Sequence, residues 1–523
     1  MSTQTSDIAR HYDEVPYASK PFPQSQPPRL AALARLFGLT PPDIKTARVL
    51  EIGCAAGGNL IPLAASFPNA EFLGLDLSSV QIASGQDRII RMGLKNIRLI
   101  TQSIADVTRG LGQFDYIICH GVYSWVPAHV RDAILRVCGE NLTENGVAYL
   151  SYNVFPGWRL RSVLRDAMQF HGSTAQTAAE QLALGRDFLN QLGNITNAGT
   201  PYGQLLRQEA QTMTGHEDYY VAHEYLEANN EPCYFADLFK RLDVFDLAFL
   251  TEADLHLTIA ENFGTETGTL LRKLSGNGLE RMEQYIDFLT GRTFRQSLLV
   301  RKDQTHRIQR TLSPTALAGL NISTRVSAEP ETDDQGRFVF RDAAGRTLTT
   351  SSAAVHDAVA ELARRRPATV TAADLVAYAA TLGHASPDAK ADIERALFNM
   401  VLAGLTDVST EPVEAISPIS NRPRAVTIAR FDARDGHAWT TNVRHETVPL
   451  NVVQRAVLPL LDGIHDRDAI AGAINDLVLS GELVFRRDDE TLTEPSDIAK
   501  AIDEHVTAAL QSFRASALLA PAA

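Results

Sequence analysis

The residues best suited to chemistry in this sequence lie in one short stretch, residues 49–60, which reads VLEIGCAAGGNL. An apolar segment that contains one acid, Glu51, is followed by small residues and then by the apolar start of a predicted helix. This pattern predicts a buried strand, a tight loop and a helix N-terminus. Small residues let a ligand approach the backbone, and a helix N-terminus offers unpaired N–H groups. The stretch therefore predicts a ligand-binding loop, although an ordinary strand-to-helix turn has the same pattern.

Two cofactors fit the spacing of the small residues. Gly53, Ala55 and Gly58 nearly match the G-x-G-x-x-G fingerprint of nicotinamide-binding folds. With Glu51 in front and Ala55 in the middle glycine position, the same segment fits E-x-G-x-G-x-G, the pattern of class I S-adenosylmethionine methyltransferases. Both patterns require an acid about 20 residues further on, where it accepts hydrogen bonds from ribose hydroxyls. Asp76 stands there, and it could alternatively cap the next helix.

Three features favour S-adenosylmethionine as the cofactor. The Glu51 carboxylate would attract a sulfonium or amino group, whereas it would repel a pyrophosphate. Two strand-like segments, 247–252 and 297–301, fit the extra strand pair of a methyltransferase sheet, and no dehydrogenase-type Lys, His and Tyr grouping occurs. The predicted cofactor contacts are Glu51, Gly53, Cys54, Ala55, Gly57, Asn59, Asp76, Leu77, Gln81, Ser103, Ile104 and His120.

Several of these positions have a predicted part in binding. Ser103 and Ile104 follow the third predicted strand and would frame the adenine. His120 follows the fourth strand, where it would contact the cofactor or act as a base, or make only a structural hydrogen bond. Asn59 is either a cofactor contact or the cap of the following helix.

The composition sets broad limits on partners and location. With 523 residues the chain is too long for one core and is expected to form about three domains. The net charge of −13 disfavours nucleic acid, which would require a basic face. Four scattered cysteines predict neither a disulfide framework nor a metal site and fit a reducing cytoplasm. We expect no signal peptide and no membrane insertion, because no apolar run is long enough.

Strands and helices alternate through the first half of the chain. Strands are predicted at 49–53, 71–76, 97–101, 114–120 and 147–153. This alternation predicts a parallel, Rossmann-like class I methyltransferase sheet, in which ligands bind beyond the carboxyl ends of the strands. A purely helical pattern then predicts a core insertion at about 172–230. We assign residues 1–305 to an S-adenosylmethionine-binding domain of α/β class.

The second half of the chain predicts two smaller domains. Helical patterns at 353–366, 372–382 and 387–403, followed by a strand-like segment, are typical of a winged helix, so residues 306–415 are predicted as a winged-helix-like middle domain. Residues 416–523 are predicted to form a C-terminal α+β domain. Its first element is a predicted strand near 425–431.

Several longer segments carry a family resemblance. They read YDEVPYASKPFPQSQPPRLAALARLFGL, VLEIGCAAGGNLIPLA, FDYIICHGVYSWVP, VAYLSYNVFPGW, HEYLEANNEPCYFADL and EQYIDFLTGRTFRQSLL. In them the chain resembles the bacterial protein-lysine methyltransferases typified by the rickettsial enzymes that methylate lysines of outer-membrane proteins. The resemblance continues more weakly in HAWTTNVRHETVPL and LLDGIHD. It implies a cofactor domain with an insertion, a winged-helix-like middle domain, a C-terminal domain, a homodimer and a protein substrate that presents lysine.

A lysine acceptor would need a dry, aromatic site. Its ammonium group, with a reference pKa of about 10.4, must lose a proton before it can attack, and aromatic rings hold such cations well. The predicted acceptor residues are Tyr123, Trp125, Tyr152 and Trp158, with Tyr17 from the Pro-rich leader as a cover. Each ring could instead serve only in packing. No Asn/Asp-Pro-Pro-Tyr motif follows the fourth strand, which argues against nucleobase or glutamine methylation.

Two other functions are compatible with the same residues. One is a methyltransferase that acts on a small metabolite. The other is a regulatory protein that binds S-adenosylmethionine without turnover. All three functions require the set Glu51, Gly53, Gly57 and Asp76, so these residues predict cofactor binding and leave the acceptor open.

Overall fold

A seven-stranded sheet is the centre of the first 301 residues. The computed structural model describes residues 19–521 except 228, 277, 415 and 489. The strands of this sheet are β1 (Arg48–Ile52), β2 (Glu71–Asp76), β3 (Ile97–Thr101), β4 (Phe114–Cys119), β5 (Leu142–Asn153), β6 (Leu247–Glu252) and β7 (Phe294–Arg301). Their order is β3-β2-β1-β4-β5-β7-β6, and only β7 runs antiparallel to its neighbours. The predicted fold class, including the additional strand pair, is confirmed.

The central strands are buried on both faces, as expected for a parallel sheet covered by helices. Alternate residues point to opposite cores because side chains alternate along a strand. Val49 and Tyr116 belong to one core, whereas Leu50 and Ile117 belong to the other. The first of these cores continues into the middle part of the chain, where Ile322 is one of its buried members.

Helices cover both faces of the sheet and form the insertion. They are α1 (Pro27–Leu36), α2 (Leu60–Ser66), α3 (Ser79–Met92), α4 (Ala128–Asn141), α5 (Gly157–His171), α6 (Ala178–Ile195), α7 (Pro201–Thr214), α8 (Asp218–Val221), α9 (Phe235–Val244), α10 (Thr265–Ser275) and α11 (Leu279–Thr290). Between α5 and α9, the chain forms α6, α7, α8 and a π-helix, Ala222–Leu226. Leu164 of α5 packs with Leu189 and Leu206 of this region in a separate apolar cluster.

The middle part of the chain combines three helices with short strands. Its elements are β8 (Asn321–Thr324), β9 (Glu331–Thr332), β10 (Phe338–Arg341), β11 (Thr347–Thr350), α12 (Ala353–Arg364), β12 (Val370–Thr371), α13 (Ala372–Thr381), α14 (Pro387–Leu402) and β13 (Thr406–Ser409). One sheet has the order β12-β8-β13, and the other has the order β11-β10-β9. A helix N-cap explains the start of α13, where Thr371 and Asp374 form a capping box.

The C-terminal part begins differently from the prediction. Its elements are β14 (Arg424–Ala425), α15 (Thr427–Arg434), β15 (Trp439–Thr441), β16 (Thr447–Pro449), α16 (Val452–Val457), α17 (Arg467–Leu479), β17 (Arg486–Arg487), β18 (Glu490–Thr491), α18 (Pro495–Ala515) and β19 (Leu519–Ala520). The strand predicted near 425–431 is wrong beyond Ala425, because the following residues form α15. Ile428, Ala429, Asp432 and Ala433 are buried at helical spacing, a pattern that a short segment does not separate from a strand.

No helix within the described ranges combines the length and apolar character that a bilayer crossing requires.

A buried charge cluster joins β7 to β6 and α11. The Arg295 side chain is fully buried and donates to Asp287 (2.9 Å), Glu252 (2.8 Å) and Glu283 (3.0 Å). Glu252 also accepts from the Ser297 hydroxyl, 2.7 Å away. Arg295 thus contacts all three buried carboxyl groups, and the buried Arg292 guanidinium adds a further pair with Asp287 at 3.3 Å.

We expect Arg295→Met to lower the free energy of unfolding by about 3–5 kcal/mol, because it removes the guanidinium that contacts all three buried carboxyl groups. Chemical denaturation measures the difference. The matched control is Arg301→Met on the same strand, since Arg301 pairs with exposed Asp303 at 3.0 Å and should change stability by less than about 1 kcal/mol. Equal losses for the two variants would contradict a structural role of the cluster.

Candidate functional site

The glycine loop between β1 and α2 has the backbone that its small residues predict. Gly53 and Gly57 have φ values of +74° and +75°, which favour glycine. A Cβ atom on Gly53 would lie 2.4 Å from Cγ2 of Val122. The Gly53 N–H donates to the Leu75 carbonyl at the end of β2, 2.8 Å away. The loop is therefore folded tightly across the carboxyl ends of β1 and β2.

Asp76 connects the end of β2 to this loop. One carboxylate oxygen accepts from the Ala55 N–H (2.8 Å) and the other from the Ser78 N–H (2.9 Å). The cap of α3 is Ser78, whose hydroxyl accepts from the Gln81 N–H at 3.1 Å. Asp76 is thus not the helix cap that the sequence allowed as an alternative, and it lies where a ribose-binding acid is expected.

Glu51 lies directly behind the glycine loop, and its side chain is almost completely buried. Its Oε1 accepts from the Asn59 side-chain amide at 2.8 Å, whereas Oε2 has no hydrogen-bond partner among the described residues. Burial raises the pKa of Glu51 to about 8, the bond from Asn59 opposes this, and nearby Asp76 adds to it. With this pKa the group is mostly protonated near pH 7 in the ligand-free protein.

Asn59 does not cap α2 with its side chain, which excludes one of its two predicted roles. Its amide nitrogen donates to Glu51 and, at 3.2 Å, to the Ser25 hydroxyl. Its oxygen accepts from the Phe22 N–H at 2.9 Å and lies 2.7 Å from Nε2 of His445. The side chain is therefore fixed by parts of the chain that are far apart in sequence.

Residues 19–22, the first described part of the Pro-rich leader, lie over the glycine loop. The Gly58 N–H donates to the Ser19 hydroxyl at 2.7 Å, and a Cβ atom on Gly58 would lie 2.1 Å from the Ser19 carbonyl oxygen. The Phe22 ring lies 3.8 Å from the His120 ring. Tyr17, the predicted cover, lies outside the described residues. Ser19 and Phe22 were not predicted as site residues. The available signal was the presence of aromatic residues in a Pro-rich leader, which indicates that the leader packs against the protein.

His120 follows β4 and is held by Tyr149. Its Nδ1 lies 2.9 Å from the oxygen of the Tyr149 hydroxyl, and that hydroxyl donates its proton to Gln296 at 3.0 Å. Burial lowers the pKa of His120 to about 3. The imidazole is therefore neutral at physiological pH and too weak a base to hold a proton there, which favours a positioning role over general base catalysis.

The remaining predicted cofactor residues lie around the same edge of the sheet. Cys54 is buried beside Gly74, and burial raises its pKa well above the ordinary thiol value. Ser103 accepts from the Ala105 N–H at 3.3 Å, and Ile104 is buried next to it. Leu77 and Gln81 are half-buried at the start of α3. The carboxyl ends of β1 to β4 thus bring the predicted set together.

The four predicted acceptor rings form two edge-to-face pairs. Tyr123 lies 6.1 Å from Tyr152, and Trp125 lies 6.2 Å from Trp158, between ring centroids. Trp125 is half-buried, whereas the other three are buried. The Tyr152 hydroxyl pairs with Ser297 at 2.9 Å, next to the buried charge cluster. Trp158 is fully buried, and its indole N–H has no partner among the described residues.

Residues after the π-helix border these aromatic strand ends. The Glu231 N–H donates to the Ser124 carbonyl at 2.8 Å, and the Asn153 amide donates to Asn230 at 3.1 Å. Sequence reasoning missed Asn230 and Glu231 as neighbours of the site. The available signal was the quoted segment HEYLEANNEPCYFADL, but a polar run of this kind has no periodicity that predicts its position.

A separate cavity of about 620 Å³ lies between the three parts of the chain. Arg29, Asp407, Arg444 and Glu446 are among its lining residues. The predicted cofactor residues lie outside its lining, so this cavity and the glycine loop are different regions.

The strand order, the glycine loop and the acids at the ends of β1 and β2 define a class I methyltransferase. Family models agree along the chain: "Methyltransferase domain" matches residues 50–148, "Predicted methyltransferase regulatory domain" matches 217–301, and "PKMT, C-terminal winged helix domain" matches 421–518. The last match falls in the part predicted as C-terminal α+β, whereas the sequence pattern suggested a winged helix in residues 306–415.

Relatives cover nearly the whole chain. An uncharacterized protein of Rickettsia prowazekii is 32% identical over 98% of this chain and 95% of its own length. The structure of PKMT2 from Rickettsia typhi in complex with AdoHcy has a TM-score of 0.86 at 30% identity, covering 96% of this chain and all of that one. The chain belongs to this family of bacterial protein-lysine methyltransferases.

The site residues fit S-adenosylmethionine, the cofactor of this class. Within the described part of the chain, Oε2 of Glu51 has no hydrogen-bond partner, and it is buried where a cationic group would compensate it. Gly53 and Gly57 have positive φ values, and at Gly53 the close approach of Val122 leaves no space for a side chain. We therefore expect Glu51, the glycine loop and Asp76 to hold the cofactor.

We expect the affinity for S-adenosylmethionine to rise from pH 6 to about pH 8 and then to level off. A carboxyl with a pKa of about 8 is protonated in the free protein below that pH, and a bound cation favours its ionised form. Isothermal titration calorimetry across this range measures the dependence, and Glu51→Gln should bind about tenfold more weakly at pH 8.

Glu51→Gln should also bind S-adenosylmethionine with an affinity that no longer rises between pH 6 and pH 8, because glutamine does not ionise. Glu71→Gln is the matched control, because Glu71 is exposed at the other end of the neighbouring strand, and it should keep the wild-type profile. Parallel profiles for the wild type and Glu51→Gln would show that another group titrates.

Proposed function

We propose that this protein transfers methyl groups from S-adenosylmethionine to lysine side chains of a protein substrate. The observation that carries the proposal is the family similarity along almost the full length, including the parts beyond the cofactor sheet. The aromatic strand ends beside the donor site support it, because aromatic rings suit a cationic amine that must be desolvated before attack.

The chain's own residues would act mainly by positioning and by excluding water. Bound S-adenosylmethionine supplies an electrophilic methyl group on a sulfonium. Glu51 and Asp76 orient this donor, while Phe22 and His120 shield its pocket from solvent. Trp125, the most exposed of the four acceptor rings, receives the lysine ammonium, and Tyr123, Tyr152 and Trp158 support it. The lysine proton leaves to solvent, since His120 is too weakly basic to take it.

We propose the same organisation for the rest of the molecule as the sequence predicts. Residues 1–305 form the cofactor domain with its insertion at about 172–230, residues 306–415 the middle domain, and residues 416–523 the C-terminal domain. The protein acts in the cytoplasm as a homodimer and has no nucleic-acid partner, in keeping with its net charge of −13.

The acceptor class is tested by incubating the protein with methyl-labelled S-adenosylmethionine and a cell lysate, followed by separation of proteins from small molecules. We expect label on lysine side chains of one or a few proteins. Label only in the small-molecule fraction would instead support a metabolite methyltransferase. Cofactor binding without label in either fraction would support a regulatory protein without turnover.

We expect Trp125→Ala to lower the rate of methyl transfer to the labelled protein by about tenfold, because a cation–π contact contributes roughly 1–2 kcal/mol in a desolvated site. The affinity for S-adenosylhomocysteine, measured by calorimetry, should stay within about twofold. Phe170→Ala is the control, since Phe170 is an exposed aromatic residue on α5. A normal transfer rate in Trp125→Ala would exclude Trp125 from the acceptor site.

A further inference from the structure

A hairpin of the C-terminal part reaches the donor site of the cofactor domain. β15 and β16 pair antiparallel and are joined by the turn 442–446. His445 lies in this turn, its side chain is almost fully buried, and its Nε2 is 2.7 Å from the Asn59 side-chain oxygen. A residue separated from the glycine loop by 386 positions thus contacts the side chain that holds Glu51.

The direction of this hydrogen bond follows from the other partners of Asn59. The same oxygen accepts from the Phe22 backbone N–H, which is only a donor, and the amide nitrogen donates to Glu51. His445 must therefore donate from Nε2. Burial lowers the pKa of His445 to about 3, so the ring is neutral and carries one N–H. The chain of donors runs from His445 through Asn59 to Glu51.

The turn that presents His445 is held in an unusual conformation. His445 has a φ of +60°, a value that non-glycine residues adopt only when their surroundings require it. The Asn442 side-chain oxygen accepts from the N–H groups of Arg444 and Glu446, each at 2.9 Å. Arg444 in turn donates to Ser323 of the middle part at 2.8 Å. The conformation of the turn is therefore fixed both by hydrogen bonds within it and by the bond from Arg444 to the middle part of the chain.

We propose that the C-terminal hairpin completes the methyl-donor site, with His445 acting as a positioning residue that orients the Asn59 amide toward Glu51. Without the Nε2 donor, the Asn59 oxygen would keep the Phe22 N–H but lose the second of its two donors, so the amide that bonds to Glu51 would be oriented less firmly. Because coupling free energies are reciprocal, docking of the hairpin strengthens donor binding and donor binding strengthens docking. The inference concerns the donor side only and holds for any methyl acceptor.

The test compares two amide substitutions at the same position. Asparagine tolerates a positive φ but is too short to place its amide where Nε2 lies, whereas glutamine reaches about that far. We expect His445→Asn to weaken S-adenosylhomocysteine binding by about tenfold in calorimetry. His445→Gln should stay within about threefold of the wild type. His505→Asn is the matched control, because His505 is an exposed histidine of the same domain on α18.

A pH profile separates positioning from a merely structural role. Asp76, Cys54 and Cys119 are the other titratable groups that face Glu51, and none of them is changed by these substitutions. Since the Asn59 bond lowers the pKa of Glu51, His445→Asn should move the midpoint of the affinity profile to higher pH. His445→Gln should keep the wild-type midpoint.

Thermal unfolding without ligand provides the check on folding. The proposal predicts that His445→Asn and His445→Gln unfold within a few degrees of each other while their ligand affinities differ. The proposal would be overturned if the two variants had the same affinity and the same pH midpoint, whether that affinity is reduced or equal to that of the wild type. A loss of affinity only in proportion to lost folded protein would also overturn it.

Discussion

The buried carboxyl group of Glu51 is the constraint on which the donor site depends. A carboxyl group in the interior is unfavourable unless polar partners compensate it. Only Asn59 compensates one of its oxygens among the described residues, and the other oxygen is left for a cationic ligand. Asn59 must therefore be oriented correctly, and the leader at Phe22 and the C-terminal turn at His445 both bond to its oxygen.

Much of the cofactor sheet could be predicted because each strand is indicated by the few residues that form it. The strand bounds of β2, β3 and β6 agree to the residue with the predicted segments, since short apolar runs between turn residues are typical of buried strands. The carboxyl ends of parallel strands share one edge, so Glu51 and Asp76 were expected near each other from topology alone. α15 was mispredicted because eight residues with four buried positions do not define a period.

The contacts that orient the site could not be predicted in the same way. Asn59 at the start of a helix is typical of a cap, and only tertiary structure shows that its side chain bonds to Glu51 instead. Ser19, Phe22 and His445 lie in segments without periodicity, and nothing local relates residue 445 to residue 59. Sequence patterns give the elements and their ends, whereas hydrogen bonds between distant segments depend on how the domains pack.

The second half of the chain shares an apolar core with the cofactor domain. Leu30 and Leu33 of α1 share one apolar core with Ile322 and Val355 of the middle part. Arg29 adds a polar link to Asp407 at 2.7 Å. Removal of the chain beyond residue 305 would expose this apolar face and leave Asn59 without its imidazole donor. Burial of apolar surface therefore drives the packing of the second half of the chain against the cofactor domain. Through the His445 turn, this packing also acts directly on the donor site.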